Sequence, residues 1–266
     1  ILAVLKYTGF TVSTVNDILG LFTESRLTVP SLILPLGISF YTFRSTAYLI
    51  DVYRGKAKAA TNLGKYALFI SFFPAVMQGP ICRYNDLAEQ FDTPHKAVWD
   101  DLSAGLLRVL WGMFKKLVVA DTLMGAVKTI VGTPEDFGGM YVLLLIILYS
   151  AVIYGDFTGG IDITIGISEM FGIRLKENFD RPFSSRSVKE YWNRWHITLS
   201  FWLRDFVFMR FSAAAFEHKW FKSAVTTACL GFIINMTLMG VWHGLTIDYV
   251  VYGIYHGCLL AGCELM

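Results

Sequence analysis

The chain has 266 residues, of which 55% are hydrophobic and 17% are charged, and its mean hydropathy is +0.50. A soluble domain usually carries about 25% charged residues, so this composition predicts an integral membrane protein. The net charge of +2 is too small to indicate a nucleic-acid-binding protein. The four cysteines show neither a metal-binding spacing nor a disulfide framework: Cys82, Cys229, Cys258 and Cys263.

Apolar runs stand at both ends of the chain. The first extends from Ile1 to Phe22, and the last stops just before Met266. We therefore expect an internal piece of a longer membrane protein. No repeat, linker or low-complexity stretch divides residues 1–266, which predicts one membrane-embedded helical domain without its terminal helices.

The first half of the chain predicts a spanning helix, a loop and a turn. Residues 30–52 are long enough for a span, which needs about 20 apolar residues, and Pro35 and Gly37 predict a bend in it. The basic loop 54–65 is predicted to be cytoplasmic. Residues 78–84 predict a turn that breaks a helix within the membrane.

The second half predicts longer helices. A helical pattern covers residues 98–131, and the most apolar span is residues 138–153. Asp156 and Asp162 come directly after that span and are interpreted as salt-bridge or loop residues. Two further spans are predicted from Lys222 to Met239 and from Asp248 to Leu260.

The stretch from Arg186 to Arg210 combines aromatic and basic residues. On a helix, one face would carry the residues spaced i, i+3 and i+4, namely Trp192, Trp195, His196, Leu199 and Leu203. Arg194 would lie on the opposite, polar side. This pattern predicts one amphipathic helix in the membrane interface, on the cytoplasmic side because basic residues are in excess. An interfacial anchor without any further role explains the composition equally well.

His243 is the residue that favours a catalytic function over a purely structural one. It follows an apolar run that begins at Ala224, and ionisable groups at membrane depth are rare and usually functional. The alternatives are a histidine hydrogen-bonded within a helix bundle or lying at the far interface. A neutral histidine can act as a general base on a hydroxyl, a role worth about 10²–10⁴-fold in rate. The sequence has no His-Glu-x-x-His zinc motif and no Gly-x-Ser-x-Gly nucleophile motif.

Two segments resemble the two-histidine signature of the membrane-bound O-acyltransferase family. They are Glu190–Ser200, which contains Trp-Asn-Arg-Trp-His196, and Gly240–Gly244, which contains Trp242-His243, with the two histidines 47 residues apart. Four shorter pieces support the resemblance: Leu34–Phe43, Gly79–Tyr84, Phe171–Arg174 and Glu177–Pro182. The resemblance extends from about Leu34 to Gly257, which is most of the chain.

The resemblance implies a polytopic, all-α bundle of transmembrane helices, with re-entrant or interfacial helices around a central tunnel. It implies a multi-pass protein of the bacterial plasma membrane whose catalytic residues are His243 and His196. The residues implied to line the tunnel or contact substrate are Trp192, Trp195, Asn193, Arg194, Arg204 and Trp242. An acidic carrier protein would deliver the acyl group as a thioester on its phosphopantetheine arm, with no permanently bound cofactor and no metal. It would dock on Phe206, Val207, Phe208, Met209, Arg210 and Phe211.

Two branches of the family remain open. The segment Phe206–Phe211 resembles the branch that transfers D-alanine to teichoic acids, rather than the branch that acetylates alginate. Gly155 and Gly160 depart from both patterns, which leaves the acceptor polymer open. A hypothesis of another class is a transporter or channel for an anionic polymer or lipid, with Arg44, Arg83 and Arg204 along the path.

Overall fold

The structure is a computed structural model that describes residues 2–33, 35–96 and 98–265. Ile1, Leu34 and Met266, which the sequence predictions name, lie outside the described residues. The described chain is helical and contains no strand, which confirms the all-α prediction. Its α-helices are α1 (Leu2–Leu19), α2 (Ile38–Tyr53), α3 (Leu63–Ser71), α4 (Tyr84–Asp92), α5 (Trp99–Met113), α6 (Asp121–Gly132), α7 (Gly139–Met170), α8 (Val188–Arg194), α9 (Ile197–Leu203), α10 (Met209–Glu217), α11 (Ala224–His243) and α12 (Ile247–Leu265).

The helices form two compact units, and the boundary between Phe43 and Arg44 falls within α2. We call the unit with the residues up to Phe43 and from Asp180 onwards the histidine unit, because it contains His196 and His243. The unit from Arg44 to Phe179 is called the glycine unit, after the helix contacts described below. Every predicted site residue lies in the histidine unit. The prediction of a single domain stays a prediction.

Two of the described helices, α7 and α11, are long and apolar enough to cross a membrane. The predicted span 138–153 is confirmed as helix, but its predicted end is wrong, because α7 continues to Met170. Asp156 and Asp162 therefore lie inside the helix. Their charges are compensated there, because Lys116 pairs with Asp156 and Lys115 pairs with Asp162. The interpretation of both carboxylates as salt-bridge residues is confirmed.

Glycines explain how α7 remains helical through the segment 155–166. A Cβ atom added to Gly112 of α5 would lie 2.6 Å from the carbonyl oxygen of Gly159 in α7. A Cβ atom added to Gly166 would lie 2.6 Å from the carbonyl oxygen of Gly105. The two backbones therefore touch, as in close helix pairs of membrane proteins. The predicted helical pattern 98–131 is confirmed as α5 and α6, joined by the π-helical turns Phe114–Ala120.

The predicted span 30–52 is wrong in its extent. The helix begins only at Ile38 and has 16 residues, because Pro35 has no N–H to donate and Gly37 adopts a left-handed φ of +75°. Arg44 is fully buried and donates to the carbonyl oxygens of Ile70, at 3.2 Å, and Ala75, at 2.6 Å. Arg44 thus hydrogen-bonds to backbone carbonyl groups, which argues against the hypothesis that it lines the path of an anion transporter or channel.

The glycine contact predicts the stability of two variants. Gly112→Ala places a methyl group against the backbone of α7, and we expect it to lower the free energy of unfolding by about 1–3 kcal/mol. Gly125→Ala in α6 is the matched control, because its Cβ would meet no atom within 4 Å. Thermal unfolding in detergent measures both variants. Equal midpoints for the two variants would contradict the close helix contact.

Candidate active site

The stretch 186–210 is not one helix. Its first helix, α8, ends at Arg194, and Trp195 has extended backbone angles (φ −105°, ψ 127°). His196 has a left-handed φ of +46°, and α9 then starts at Ile197. The prediction of a continuous amphipathic helix is therefore wrong. The Trp195 ring stacks on Tyr191 at 5.7 Å, and the Ser200 hydroxyl donates to the Trp195 carbonyl oxygen, so local contacts hold the break.

His196 lies at this break and is only 4% exposed. A left-handed backbone is unfavourable for a residue with a Cβ atom, and such strain is found mainly where the surrounding structure or function requires it. Burial above all, and next to it the electrostatic influence of His243, lowers the pKa of His196 to about 3. The ring is therefore neutral at physiological pH.

His243 is the last residue of α11. Its ring stacks on Tyr249 with 6.0 Å between the centroids and contacts Trp242 edge-on at 4.6 Å. The next helix, α12, packs closely against α11: a Cβ atom added to Gly253 of α12 would lie 2.5 Å from the carbonyl oxygen of Met236 in α11. The predicted span 222–239 is confirmed as a helix and extends to His243, which keeps the imidazole at the end of the apolar run.

Lys6 of α1 is a neighbour of His243 that the sequence analysis does not single out. Its ammonium group donates to the carbonyl oxygen of Trp242 and lies 5.4 Å from the Trp242 ring. The Tyr7 hydroxyl donates to the Val241 carbonyl oxygen at 3.2 Å. A cation thus satisfies the carbonyl end of α11, where the helix dipole favours positive charge. Burial lowers the pKa of Lys6.

A cavity of about 250 Å³ lies within the histidine unit, between α8, α9, α11 and α12. It brings together four of the predicted residues, Trp192, Asn193, Arg204 and Phe208. The remaining lining residues are Lys189, Ser200, Phe201, Leu203, Phe232, Asn235, Met236, Met239 and Leu260. Within the described chain, neither histidine of the signature is among the lining residues.

The other residues predicted to line the tunnel pack against neighbouring side chains outside the cavity. Arg194 pairs with Glu190 at 2.7 Å, one helical turn earlier. The Trp242 ring lies 5.2 Å from that of Phe43. Their predicted role at a tunnel stays a prediction.

The predicted docking residues differ in their exposure. Phe206 packs on Trp202 at 4.9 Å, Phe208 stacks on Phe232 at 4.7 Å, and Phe211 lies 5.9 Å from the ring of Trp220. Val207 is half-buried, whereas Met209, which is 48% exposed, and Arg210 face outwards. Met209 and Arg210 are therefore the outward-facing residues of the segment, whereas its phenylalanines pack against other aromatic rings.

Asn235 is one of the polar lining residues that the sequence reasoning missed. It lies inside the apolar helix α11, one and two turns before Met239 and His243, on the same stripe of the helix. A polar side chain inside an apolar run was the available signal. No group of three or more potential metal ligands occurs in the part of the chain that the structure describes.

Comparison with known proteins identifies the family. The family model described as MBOAT, membrane-bound O-acyltransferase family, matches residues 57–266, which include both histidines. The chain belongs to the membrane-bound O-acyltransferase family. The predicted family is thereby confirmed, and with it a membrane-bound, helical protein.

Relatives from both branches match this family member at the same level. A probable alginate O-acetylase of Pseudomonas aeruginosa is 36% identical over 98% of the chain and 48% of its own length. One from Azotobacter vinelandii is 36% identical over 98% of the chain and 50% of its own length. A teichoic acid D-alanyltransferase of Bacillus subtilis is 36% identical over 85% of the chain and 58% of its own length. The chain spans about half the length of these relatives.

The strained backbone at His196 predicts an order of stability. His196→Gly and His196→Ala both remove the ring, but glycine adopts the left-handed conformation without steric conflict. We expect His196→Gly to be more stable than His196→Ala by about 1 kcal/mol. Thermal unfolding in detergent measures the difference, and a more stable alanine variant would contradict the left-handed backbone at this position.

Proposed function

We propose that the protein is a membrane O-acyltransferase, which moves an activated acyl group to hydroxyls of a bacterial cell-envelope polymer. The observation that carries the proposal is the match of the family model to residues 57–266, a range that contains both His196, buried at a helix break, and His243, the last residue of an apolar helix. The relatives named as an O-acetylase and a D-alanyltransferase support the same reaction class. The protein would act as a multi-pass protein of the plasma membrane.

In the proposed reaction, His243 acts as the general base. Its unprotonated ring nitrogen takes the proton of the acceptor hydroxyl while that oxygen attacks the thioester carbonyl carbon. The carbon–sulfur bond then breaks, an ester forms, and the proton passes to the thiolate that leaves. A thiolate is a good leaving group, so positioning and one base suffice. His196 serves as a positioning residue beside His243.

The proposed donor is a thioester on the phosphopantetheine arm of an acidic carrier protein. The basic residue Arg210 and the apolar residue Met209 both face outwards, which suits an acidic protein with an apolar contact at its centre. D-alanine is the proposed acyl group on the strength of the segment Phe206–Phe211. The acceptor would then be a teichoic acid.

Acetylation of an exopolysaccharide is the second candidate. It is favoured by the probable alginate O-acetylases named above, which align over 98% of the chain, whereas the D-alanyltransferase of Bacillus subtilis aligns over 85%. Both candidates use the same pair of histidines and the same ester chemistry. They differ in the acyl group, which can be measured directly on the polymer.

The first functional prediction concerns His243. We expect His243→Gln to lower ester formation at least 100-fold, because glutamine cannot accept the proton. The measurement is alkali-labile D-alanine and acetate on envelope polymers of cells that express the full-length protein. D-alanine in the parent supports the first candidate, and acetate supports the second.

The matched control is His218→Gln, which changes an exposed histidine that stacks on Trp220. This variant should retain full ester formation. Membrane protein levels must be equal in all strains. A His243→Gln strain with normal ester would contradict the proposal of a histidine base.

The second functional prediction concerns docking. Arg210→Glu should weaken transfer from the carrier protein, mainly at low ionic strength, where charge steering is strong. We expect a decrease of about tenfold in kcat/KM for the carrier at low salt and a smaller decrease at high salt. Lys128→Glu reverses an exposed charge in the glycine unit and serves as the control. An equal effect of the two reversals would contradict docking at Arg210.

A further inference from the structure

The carbonyl end of helix α11 is held by two side chains of α1. The last four carbonyl groups of a helix have no partner within the helix, so they need hydrogen bonds from elsewhere. In α11 the Trp242 carbonyl accepts from the Lys6 ammonium group, and the Val241 carbonyl accepts from the Tyr7 hydroxyl at 3.2 Å. The donors are adjacent in α1 and lie 236 and 234 residues before their acceptors. The end of α11 therefore depends on a contact between helices that are distant in sequence.

His243 directly follows these two carbonyl groups. A histidine base is often oriented by a hydrogen bond from its second ring nitrogen to a carbonyl or carboxylate group. Among the described residues, no side chain or backbone group makes such a bond to the His243 ring. The ring instead contacts Trp242 edge-on at 4.6 Å and stacks on Tyr249 at 6.0 Å. Its orientation is thus set by the helix end that carries it and by these two aromatic rings.

Lys6 acts on both the helix end and one of the two rings. Its ammonium group donates to the Trp242 carbonyl, and it also lies 5.4 Å from the centroid of the Trp242 ring, which attracts a cation. One cation therefore holds the backbone and the side chain of the residue next to His243. A positive charge is favourable at this end of a helix, where the carbonyl groups concentrate negative charge. The electrostatic influence of Lys6 also reaches the His243 ring.

We propose that Lys6, assisted by Tyr7, is a positioning residue for His243. The two side chains keep the last turn of α11 helical, so that the imidazole is held where it can take the proton of the acceptor hydroxyl. Lys6 itself contacts neither the acyl group nor the hydroxyl. A misplacement of about 1 Å can lower the rate of an enzyme about 100-fold, so the loss of this contact has a measurable effect. This inference rests on the proposed function and adds the residue that orients its base.

The first test measures the helix end itself and needs no substrate. Amide hydrogen exchange of the full-length protein in detergent is followed by mass spectrometry in the peptide that covers residues 240–244. Lys6→Met keeps the length of the side chain but removes the donor, and we expect exchange in this peptide to become about tenfold faster. Exchange in the first turns of α11 should stay unchanged. Lys222→Met is the matched control, because Lys222 is exposed and lies just before the opposite end of the same helix.

The second test measures acyl transfer by the full-length protein in detergent. The donors are the D-alanyl and acetyl thioesters of N-acetylcysteamine, and the acceptors are lipoteichoic acid and alginate, respectively. We expect Lys6→Met to lower kcat about tenfold or more and to leave the KM values of donor and acceptor unchanged, because only the base is misplaced. Lys6→Arg keeps a cationic donor and should retain about a third or more of the wild-type kcat. Tyr7→Phe removes one neutral hydrogen bond and should lower kcat about threefold. Lys222→Met should transfer as the wild type does.

The outcomes distinguish this inference from the proposed function. A wild-type kcat in Lys6→Met would overturn the positioning role, even with faster exchange, and would leave the proposed function intact. Unchanged exchange in Lys6→Met would also overturn it, and so would a raised KM with a retained kcat, because Lys6 would then contact a substrate. A wild-type protein that transfers neither group, or a His243→Gln protein that transfers as fast as the wild type, would overturn the proposed function itself.

Tyr7→Phe keeps the inference testable if Lys6→Met does not fold. This variant removes a single oxygen atom from the same helix end, so it disturbs the packing of α1 very little. Faster exchange in residues 240–244 together with a lower kcat is the expected result. Wild-type values of both in Tyr7→Phe would then overturn the positioning role.

Discussion

The left-handed backbone at His196 is the constraint on which the candidate site depends. If the helix continued through this residue, the imidazole would lie on the same helix face as Trp192 and Leu199. Its direction would then be set by the orientation of that face. The break instead separates two short helices and allows the chain to change direction at the histidine itself. The imidazole at this turn is only 4% exposed, and its burial lowers its pKa. Strain of this kind is retained where the surroundings over-determine the conformation. At His196 the stacked pair Tyr191 and Trp195 does this.

In the histidine unit, the two signature histidines and the cavity lie at separate places. Both histidines lie at helix ends, because His196 directly precedes α9 and His243 is the last residue of α11. The cavity has neither histidine in its lining and is bordered instead by residues such as Trp192 and Asn235. In the proposed reaction, such a separation would let one place hold a long, flexible donor while the other reacts at its tip. Binding energy far from the reacting bond can then be used to position that bond.

Much of the fold could be predicted from sequence, because hydrophobic runs and their spacing depend on local chemistry. The helices at 98–132 and 224–243 follow directly from such runs. The two-histidine signature identified the family and both histidines. The failures have a common cause, which is that tertiary contacts decide where a helix stops. Gly155 packs against the backbone at Lys115 and Gly160 against the Gln78 side chain, so tertiary contacts that the sequence does not reveal favour glycine at both positions. The Trp195–His196 break goes unseen because nothing in the spacing of its aromatic residues departs from a helix. Asn235 was missed because a single amide in an apolar helix has no motif.

The charged residues of the glycine unit affect how the protein can insert into a membrane. Helix α7 carries Asp156, Asp162 and Glu169, whereas the facing segment carries Arg108, Lys115 and Lys116. Alone, either partner would have to bring unneutralised charge into lipid, which is strongly unfavourable. When the residues are paired, their opposite charges neutralise each other. The glycines at 105, 112, 159 and 166 allow the two helix backbones to approach so closely that the oppositely charged side chains can form these pairs. The two segments are therefore suited to enter the bilayer together as a hairpin, so that the order of synthesis and the order of insertion become linked.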